Sequence, residues 1–240
     1  DPLPSSTTGI GHTRWATHGG PTDRNAHPHV SSDDRIAVIH NGIIENFHTL
    51  RTELEGAGVQ LESETDTEVV AHLMAHTLPE VGNSLPLAMQ AVCSRLQGAF
   101  TLVVVDRDQP DVVVGARRNS PLVVGLGTDG NFLASDVSAF VAHTRHALEL
   151  GQDQIVVMKA DSVVVTDFDG NVVEAKPFDI DWDASAAEKG GYDLFMLKEI
   201  SEQPKAVADS LLGRIDENFR ITLDELSIDP AVLQHINKVI

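Results

Sequence analysis

Short apolar runs separated by turn-forming residues recur along most of the chain. The run Ile36–Ile44 is rich in β-branched residues and predicts a buried strand. Farther along, Thr65 followed three residues later by Glu68 fits a capping box that opens a helix. Apolar residues at helical spacing predict three helices in this part of the chain, over 45–58, from residue 65 onward, and over 84–96.

The pattern changes after residue 98 to a series of short strands. Several of these strands are apolar on both faces, which is typical of strands buried between two layers. Helices followed by a β-meander indicate an α+β layered domain rather than a βαβ repeat. The predicted elements are strands at 99–105, 112–116, 122–126, 131–134, 154–159 and 162–166, with a short helix at 137–143.

Composition changes again near residue 177, where Asp, Ala and Gly replace the apolar runs. We therefore divide the chain into a domain over 1–176, a linker over 177–192, and the beginning of a second domain over 193–240. This last segment predicts a helix over 193–212, then a helix and the start of a strand over 222–240. It is too short to bury a core of its own.

Charge and cysteine content exclude several classes of function. The 240 residues carry 17 Lys and Arg against 36 Asp and Glu, a net charge of −19, and contain no basic cluster for nucleic acid. The longest apolar runs are far shorter than the roughly 20 residues of a membrane-spanning helix, and no signal peptide is visible. Cys93 is the only cysteine, so no intrachain disulfide is possible, and we expect a cytoplasmic protein.

Candidate chemistry is concentrated in four short segments, and each residue also has an ordinary structural interpretation. Asn41-Gly42 fits a turn, Asp66 fits a helix N-cap, Arg14 fits an ion pair, and Trp15 fits a core aromatic residue. Five histidines lie between residues 12 and 40, but no cysteine cluster or HExxH spacing supports a metal site. The segments are GHTRWATHG from residue 11, NAHPH from residue 25, HNG from residue 40, and TDTE from residue 65.

Taken together, the same residues fit the recognition of a zwitterion beside an oxyanion site. The fork of Arg14 suits an α-carboxylate, and the carboxylate of Asp66 suits an α-ammonium group. A side-chain amide followed by glycine, as in Asn41-Gly42, can direct one side-chain and one backbone N–H at a developing oxyanion. Glycine permits the close backbone approach that this requires.

These segments resemble the class II glutaminase domain of the glutamine–fructose-6-phosphate aminotransferases (isomerising). The later segments SPLVVGLG, FLASD and KEISEQP resemble that family as well, so the similarity covers most of the chain. The resemblance implies a four-layer αββα sandwich of the N-terminal-nucleophile hydrolase type, followed by the first elements of an α/β sugar-isomerase domain. It also implies glutamine hydrolysis that supplies ammonia to fructose 6-phosphate, a homodimeric full-length enzyme, and no cofactor or metal.

Roles follow from this resemblance for eight residues. Catalysis would involve Asn41 and Gly42 as the oxyanion hole. Glutamine would be bound by Arg14 at its α-carboxylate and by Asp66 at its α-amino group. The remaining four matches are Thr17 and His18, which line the pocket, Trp15, which gates the ammonia path, and His27, which supports the pocket loop.

The chain departs from the family at the nucleophile, which is a cysteine at the mature N-terminus. This chain begins at Asp1, and Cys93 lies in an apolar helical stretch that favours a buried structural thiol. We expect that the cysteine-bearing segment is missing, rather than that the protein is a cysteine-free relative, and that this chain alone is inactive. Two alternatives remain: an amidotransferase of the same fold with another acceptor, and a glutamine-binding or regulatory module.

Overall fold

The computed structural model describes residues 6–181 and 190–211. The chain divides into two compact units, over 1–184 and 185–240. The first unit contains two antiparallel sheets and three α-helices, which confirms the predicted α+β class.

The larger sheet contains six strands in the order β1-β2-β3-β4-β8-β9, and every neighbouring pair is antiparallel. Its longest strands are β2 and β3, which pair along their whole length, from Ile36 opposite Asp106 to Ile44 opposite Gly98. Its strands are β1 (His29–Val30), β2 (Ile36–Ile44), β3 (Gly98–Asp106), β4 (Val113–Arg118), β8 (Gln154–Met158) and β9 (Val163–Asp167).

Three helices pack on one face of this sheet. Ile36 and Val38 point from β2 into a core shared with the helices, while the intervening Ile39 points to the opposite face, as the period of two in a strand requires. The helices are α1 (Phe47–Gly56), α2 (Asp66–Glu80) and α3 (Leu85–Cys93). The helix α2 lies over β2, so its first residue comes close to the end of that strand.

A smaller sheet packs on the other face of the larger one. Its order is β10-β7-β5-β6, and Val124 joins Val103 and Val156 in the apolar layer between the two sheets. On the outer face of the smaller sheet, Phe140 packs against Gly125, where a Cβ atom would lie 2.6 Å from the ring. Its strands are β5 (Val123–Leu126), β6 (Asn131–Ala134), β7 (His146–Glu149) and β10 (Lys176–Asp179).

The sequence pattern missed the strands β7 and β10 of the smaller sheet and overestimated the length of one helix. The strand β10 is exposed along its length and contains a proline, so neither apolar alternation nor β-propensity marks it. It pairs with β7 and carries the first unit beyond residue 176, where the pattern placed the end of the domain. The predicted helix over 137–143 is only the 3-10 turn Val137–Ala139.

In the second unit, the described residues form one helix, α4 (Phe195–Leu211), close to the range predicted from the sequence. The helix and strand predicted over 222–240 lie outside the described residues. No helix in the described part of the chain is long and apolar enough to cross a membrane.

Candidate active site

A cavity of roughly 300 Å³ opens where the end of β2, the start of α2 and the loop over 11–20 meet. All eight residues singled out from the sequence line it, although they come from four separate segments. The structure therefore places Arg14, Trp15, Thr17, His18, His27, Asn41, Gly42 and Asp66 around one space. It adds four residues that sequence reasoning did not assign there, namely His40, Ile43, Thr65 and Thr67.

The backbone of β2 directs its even-numbered N–H groups into this region. In an antiparallel ladder, hydrogen-bonded pairs alternate with non-hydrogen-bonded ones. Glu45 N–H donates to the Gln97 carbonyl, so the odd-numbered residues of β2 face β3. The even-numbered N–H groups instead find side-chain acceptors: His40 N–H donates to His27 Nδ1 (3.4 Å), and Ile44 N–H to Asp66 Oδ2 (2.8 Å). The N–H of Gly42 lies between these two on the same side of the strand.

Only glycine fits at position 42. Its φ is +118°, a conformation that L side chains rarely adopt. A Cβ atom there would lie 2.1 Å from the carbonyl oxygen of Ala99 on β3. Glycine at this position is therefore required by the strand itself, independently of any ligand.

The side chain of Asn41 is held through its oxygen. His12 Nε2 lies 2.8 Å from Asn41 Oδ1, and Arg14 N–H donates to His12 Nδ1 (2.9 Å). Because Nδ1 accepts the hydrogen bond from the Arg14 N–H, the imidazole carries its proton on Nε2. This N–H donates a hydrogen bond to Asn41 Oδ1. Within the described part of the chain, nothing accepts a hydrogen bond from Asn41 Nδ2.

The carboxylate of Asp66 lies at the first residue of α2. Thr65 is the N-cap of this helix, and its hydroxyl accepts the Glu68 N–H as predicted. The Glu68 carboxylate does not complete the capping box but accepts from the backbone N–H groups of Glu62 and Ser63. Thr65 rather than Asp66 therefore caps the helix, which leaves Asp66 directed at the cavity and at Ile44.

Two histidines flank Asp66 at longer range. Asp66 Oδ2 lies 4.0 Å from His18 Nδ1 and 3.9 Å from His40 Nδ1. The buried atoms His18 Nδ1 and His40 Nε2 have no hydrogen-bond partner among the described residues. This side of the cavity therefore combines one carboxylate with two buried ring nitrogens that lack a partner within the described residues.

Burial keeps the inner histidines neutral. Burial, reinforced by repulsion from His12, lowers the pKa of His27 to about 3. Burial also lowers the pKa of His40 to about 4, although the nearby Asp66 carboxylate opposes the shift. At neutral pH neither ring therefore adds positive charge to the cavity.

Arg14 supplies the positive charge of the site and also closes its loop. Its backbone has a left-handed φ of 51°. Its guanidinium donates to the carbonyl oxygens of His18, Gly19 and Gly20 at 2.8, 2.9 and 2.8 Å, respectively. These three bonds leave two of its five N–H donors for a ligand. The loop is held from the other side by Asn25, whose Nδ2 donates to the Gly20 carbonyl and to the Glu64 carboxylate.

Trp15 projects away from the protein. It lines the cavity, yet it is 91% exposed, an unusual state for the largest apolar side chain. Thr17 is also exposed at the rim of the cavity. The indole therefore stands at the entrance to the cavity and is not the core residue that the structural alternative required.

Cys93 is remote from this chemistry. It ends α3, is fully buried in the core between the helices and the larger sheet, and does not line the cavity. Burial raises the pKa of its thiol well above its ordinary value. The burial of Cys93 confirms the prediction of a buried thiol. Within residues 6–181 and 190–211, no group of three or more His, Cys, Asp or Glu side chains is arranged to hold a metal ion.

Comparisons with known proteins show which proteins this chain is similar to. Two curated relatives match the chain over its whole length, and both are glutamine–fructose-6-phosphate aminotransferases (isomerising). The one from Streptomyces coelicolor is 64% identical and that from Corynebacterium diphtheriae 58% identical. The chain spans only 39% and 38% of the length of these two relatives.

The fold matches a solved structure at lower sequence similarity. The glutamine phosphoribosylpyrophosphate amidotransferase of B. subtilis aligns with a TM-score of 0.55 and 23% identity, over 67% of this chain and 35% of that one. At this identity the likeness shows the fold, which agrees with the predicted α+β sandwich. The model of the glutamine amidotransferase domain matches residues 3–170, and the chain therefore belongs to the glutamine amidotransferase domain family.

Proposed function

We propose that this chain binds L-glutamine in the cavity and provides the binding and oxyanion groups for hydrolysis of its side-chain amide. The observation that carries the proposal is the placement of opposite charges and amide donors around one space. Arg14 and Asp66 supply the charges that a zwitterion requires, and Asn41 and Gly42 supply two N–H donors. Because His27 and His40 are neutral, they do not compete with a bound ammonium group for the Asp66 carboxylate.

The reaction is an acyl transfer through a thiol. A thiolate adds to the amide carbon, and the negative charge that develops on oxygen is stabilised by Asn41 Nδ2–H and Gly42 N–H. The proton that the thiol gave up passes to the departing nitrogen, so the intermediate collapses to a thioester and ammonia. Water then hydrolyses the thioester, which releases glutamate and restores the thiol. Buried Cys93 does not serve as the thiol, so we assign this role to a cysteine of the parent enzyme outside these 240 residues.

We assign the parent enzyme the activity that its relatives' names state, with fructose 6-phosphate as the acceptor of the ammonia. The identity of 64% to such an enzyme favours this acceptor over those of other amidotransferases. The homodimeric state and the cytoplasmic location belong to the same proposal. So does the role of Trp15, whose exposed indole at the cavity entrance suits a gate between this domain and the acceptor site.

Calorimetric titration with L-glutamine and two truncated analogues tests the binding mode on this chain itself. Glutaramate lacks the α-amino group, and L-glutaminamide lacks the free α-carboxylate. Asp66→Asn is expected to lower the affinity for glutamine about tenfold or more while leaving that for glutaramate unchanged, because only the ammonium contact is lost. Arg14→Lys is expected to lower the affinity for glutamine but not that for glutaminamide.

Asp111→Asn is the matched control, since it removes an exposed carboxylate far from the cavity lining. It should leave all three affinities unchanged. If the unmodified chain shows no preference for glutamine over either analogue, the proposed binding mode is wrong. If the two variants affect all ligands equally, the residues hold the loop and not the substrate.

A further inference from the structure

The residue His12 stands behind Asn41 and was not assigned a role from the sequence. It is half-buried in the loop that carries Arg14, and its ring lies beside the imidazole of His27, with centroids 4.4 Å apart. One ring nitrogen faces the Arg14 N–H and the other faces the amide oxygen of Asn41. The ring is therefore fixed by the backbone, by a second ring and by the amide.

These contacts determine the orientation of the Asn41 amide. An asparagine amide can rotate by half a turn about its last bond and exchange its oxygen and nitrogen. His12 presents a donor there, because its Nδ1 is already the acceptor of the Arg14 N–H. The donor attracts Oδ1 and repels the amide NH₂ group, so Nδ2 remains on the side away from His12.

We propose that His12 is a positioning residue that selects the Asn41 rotamer in which Nδ2 faces the substrate oxygen. The inference rests on the proposed function, since it deepens the role given to Asn41. His12 would act by preorganisation. A donor that is already directed at the oxyanion position needs no reorientation when charge develops. The backbone N–H of Arg14 sets the tautomer of His12, so the loop that binds the carboxylate also orients the oxyanion donor.

Two amide substitutions at His12 distinguish a hydrogen-bonding role from simple packing. The amide of glutamine places a donor near the position of Nε2, whereas the shorter asparagine places one near Nδ1. We therefore expect His12→Gln to keep the orientation of Asn41 and His12→Asn to lose it. The exposed His146, which is 76% accessible in the smaller sheet, gives the matched control His146→Ala.

The readout compares L-glutamine with L-norleucine, which has the same α-groups but no side-chain carbonyl. His12→Ala and His12→Asn should each lower the affinity for glutamine about threefold to tenfold, the effect of one hydrogen bond. His12→Asn, which keeps a polar atom near Nδ1 for the Arg14 N–H, should leave the affinity for norleucine unchanged. His12→Gln should restore the glutamine affinity, and His146→Ala should leave both affinities unchanged.

Nitrogen-15 NMR of the unmodified chain gives an independent measurement. The account predicts that the His12 ring is protonated at Nε2 and unprotonated at Nδ1. A ring protonated at Nδ1 would overturn the inference, as would equal losses of glutamine and norleucine affinity in His12→Asn. If the unmodified chain binds glutamine no better than norleucine, the proposed function itself fails, which is a different result from the failure of His12 alone.

Discussion

The carboxylate of Asp66 accepts a hydrogen bond of 2.8 Å from the backbone N–H of Ile44. This bond joins the first residue of α2 to the last residue of β2, two positions beyond Gly42. The residue proposed to bind the α-amino group therefore also fixes the strand that carries the oxyanion pair. In the proposed function, this hydrogen bond therefore links the residue that binds the α-amino group to the strand that stabilises the oxyanion.

Two substitutions at Asp66 separate these roles. Asp66→Asn keeps an oxygen that can accept from Ile44 N–H, so we expect stability to fall by less than about 1 kcal/mol while the affinity for glutamine falls about tenfold or more. Asp66→Ala leaves this buried N–H without its acceptor and should cost about 1–3 kcal/mol more. Urea unfolding of the two variants measures the difference. Equal stabilities would show that the bond to Ile44 contributes nothing.

Replacing Gly42 by alanine should be among the most damaging changes in the chain. The added Cβ meets the Ala99 carbonyl at 2.1 Å and adopts a φ of +118°. Strain and overpacking together should cost about 2–5 kcal/mol in the free energy of unfolding.

Gly58→Ala is the control for the conformational part of this cost. Gly58 has a φ of +89° but no atom within 4 Å of an added Cβ. It should lose only about 1–2 kcal/mol. Urea titrations of both variants give the comparison, and equal losses would mean that the contact with β3 relaxes at no cost.

The neutral histidines of the cavity predict a loss of stability in mild acid. Burial places the pKa of His40 at about 4 in the folded chain, below the 6.5 of an unfolded histidine. The unfolded state therefore binds a proton first, so stability is fully present above pH 6.5 and falls as the pH drops toward 4. For His40 the expected slope is up to about 1.4 kcal/mol per pH unit.

Urea unfolding between pH 7 and pH 5 isolates this effect, because carboxylates titrate mainly below that range. His40→Asn keeps a polar atom near Thr67 and should reduce the slope by the contribution of His40, while the contribution of His27, whose pKa burial also lowers, remains. A slope that His40→Asn leaves unchanged would assign the acid sensitivity to other groups.

Cys93 should behave as a structural thiol in every assay. Because it is fully buried, a thiol reagent should label it only as fast as the protein unfolds. Cys93→Ala should lower stability by about 1–2 kcal/mol through the small cavity it leaves, with unchanged glutamine affinity. Rapid labelling in native buffer, or loss of binding in Cys93→Ala, would place this cysteine in the functional site instead.

Eight of the residues that line the cavity could be predicted from the sequence, because they lie in short motifs of unusual composition. Arg14, Asn41 and Asp66 belong to distinct segments, and their family resemblance led to one pocket, which the structure contains. His12 was missed because its role depends on the tautomer that Arg14 N–H imposes, and no sequence pattern records that contact.

The fold could be predicted where buried positions produce a periodic pattern of apolar residues. The strand β2 and helix α2 are apolar and periodic, and both occur where the pattern placed them. The strand β10 was missed because it is exposed and contains Pro177, so its position is fixed by pairing with β7 and not by its own composition. Tertiary pairing of this kind leaves no local signal.

A crystal structure of this chain with L-glutamine tests the central claim most directly, since Cys93 is buried and the amide should remain intact. The account predicts the α-carboxylate on Arg14, the ammonium on Asp66, and the amide oxygen within hydrogen-bonding distance of Asn41 Nδ2 and Gly42 N. Glutamine bound with its amide away from Asn41 and Gly42, or bound outside this cavity, would contradict it.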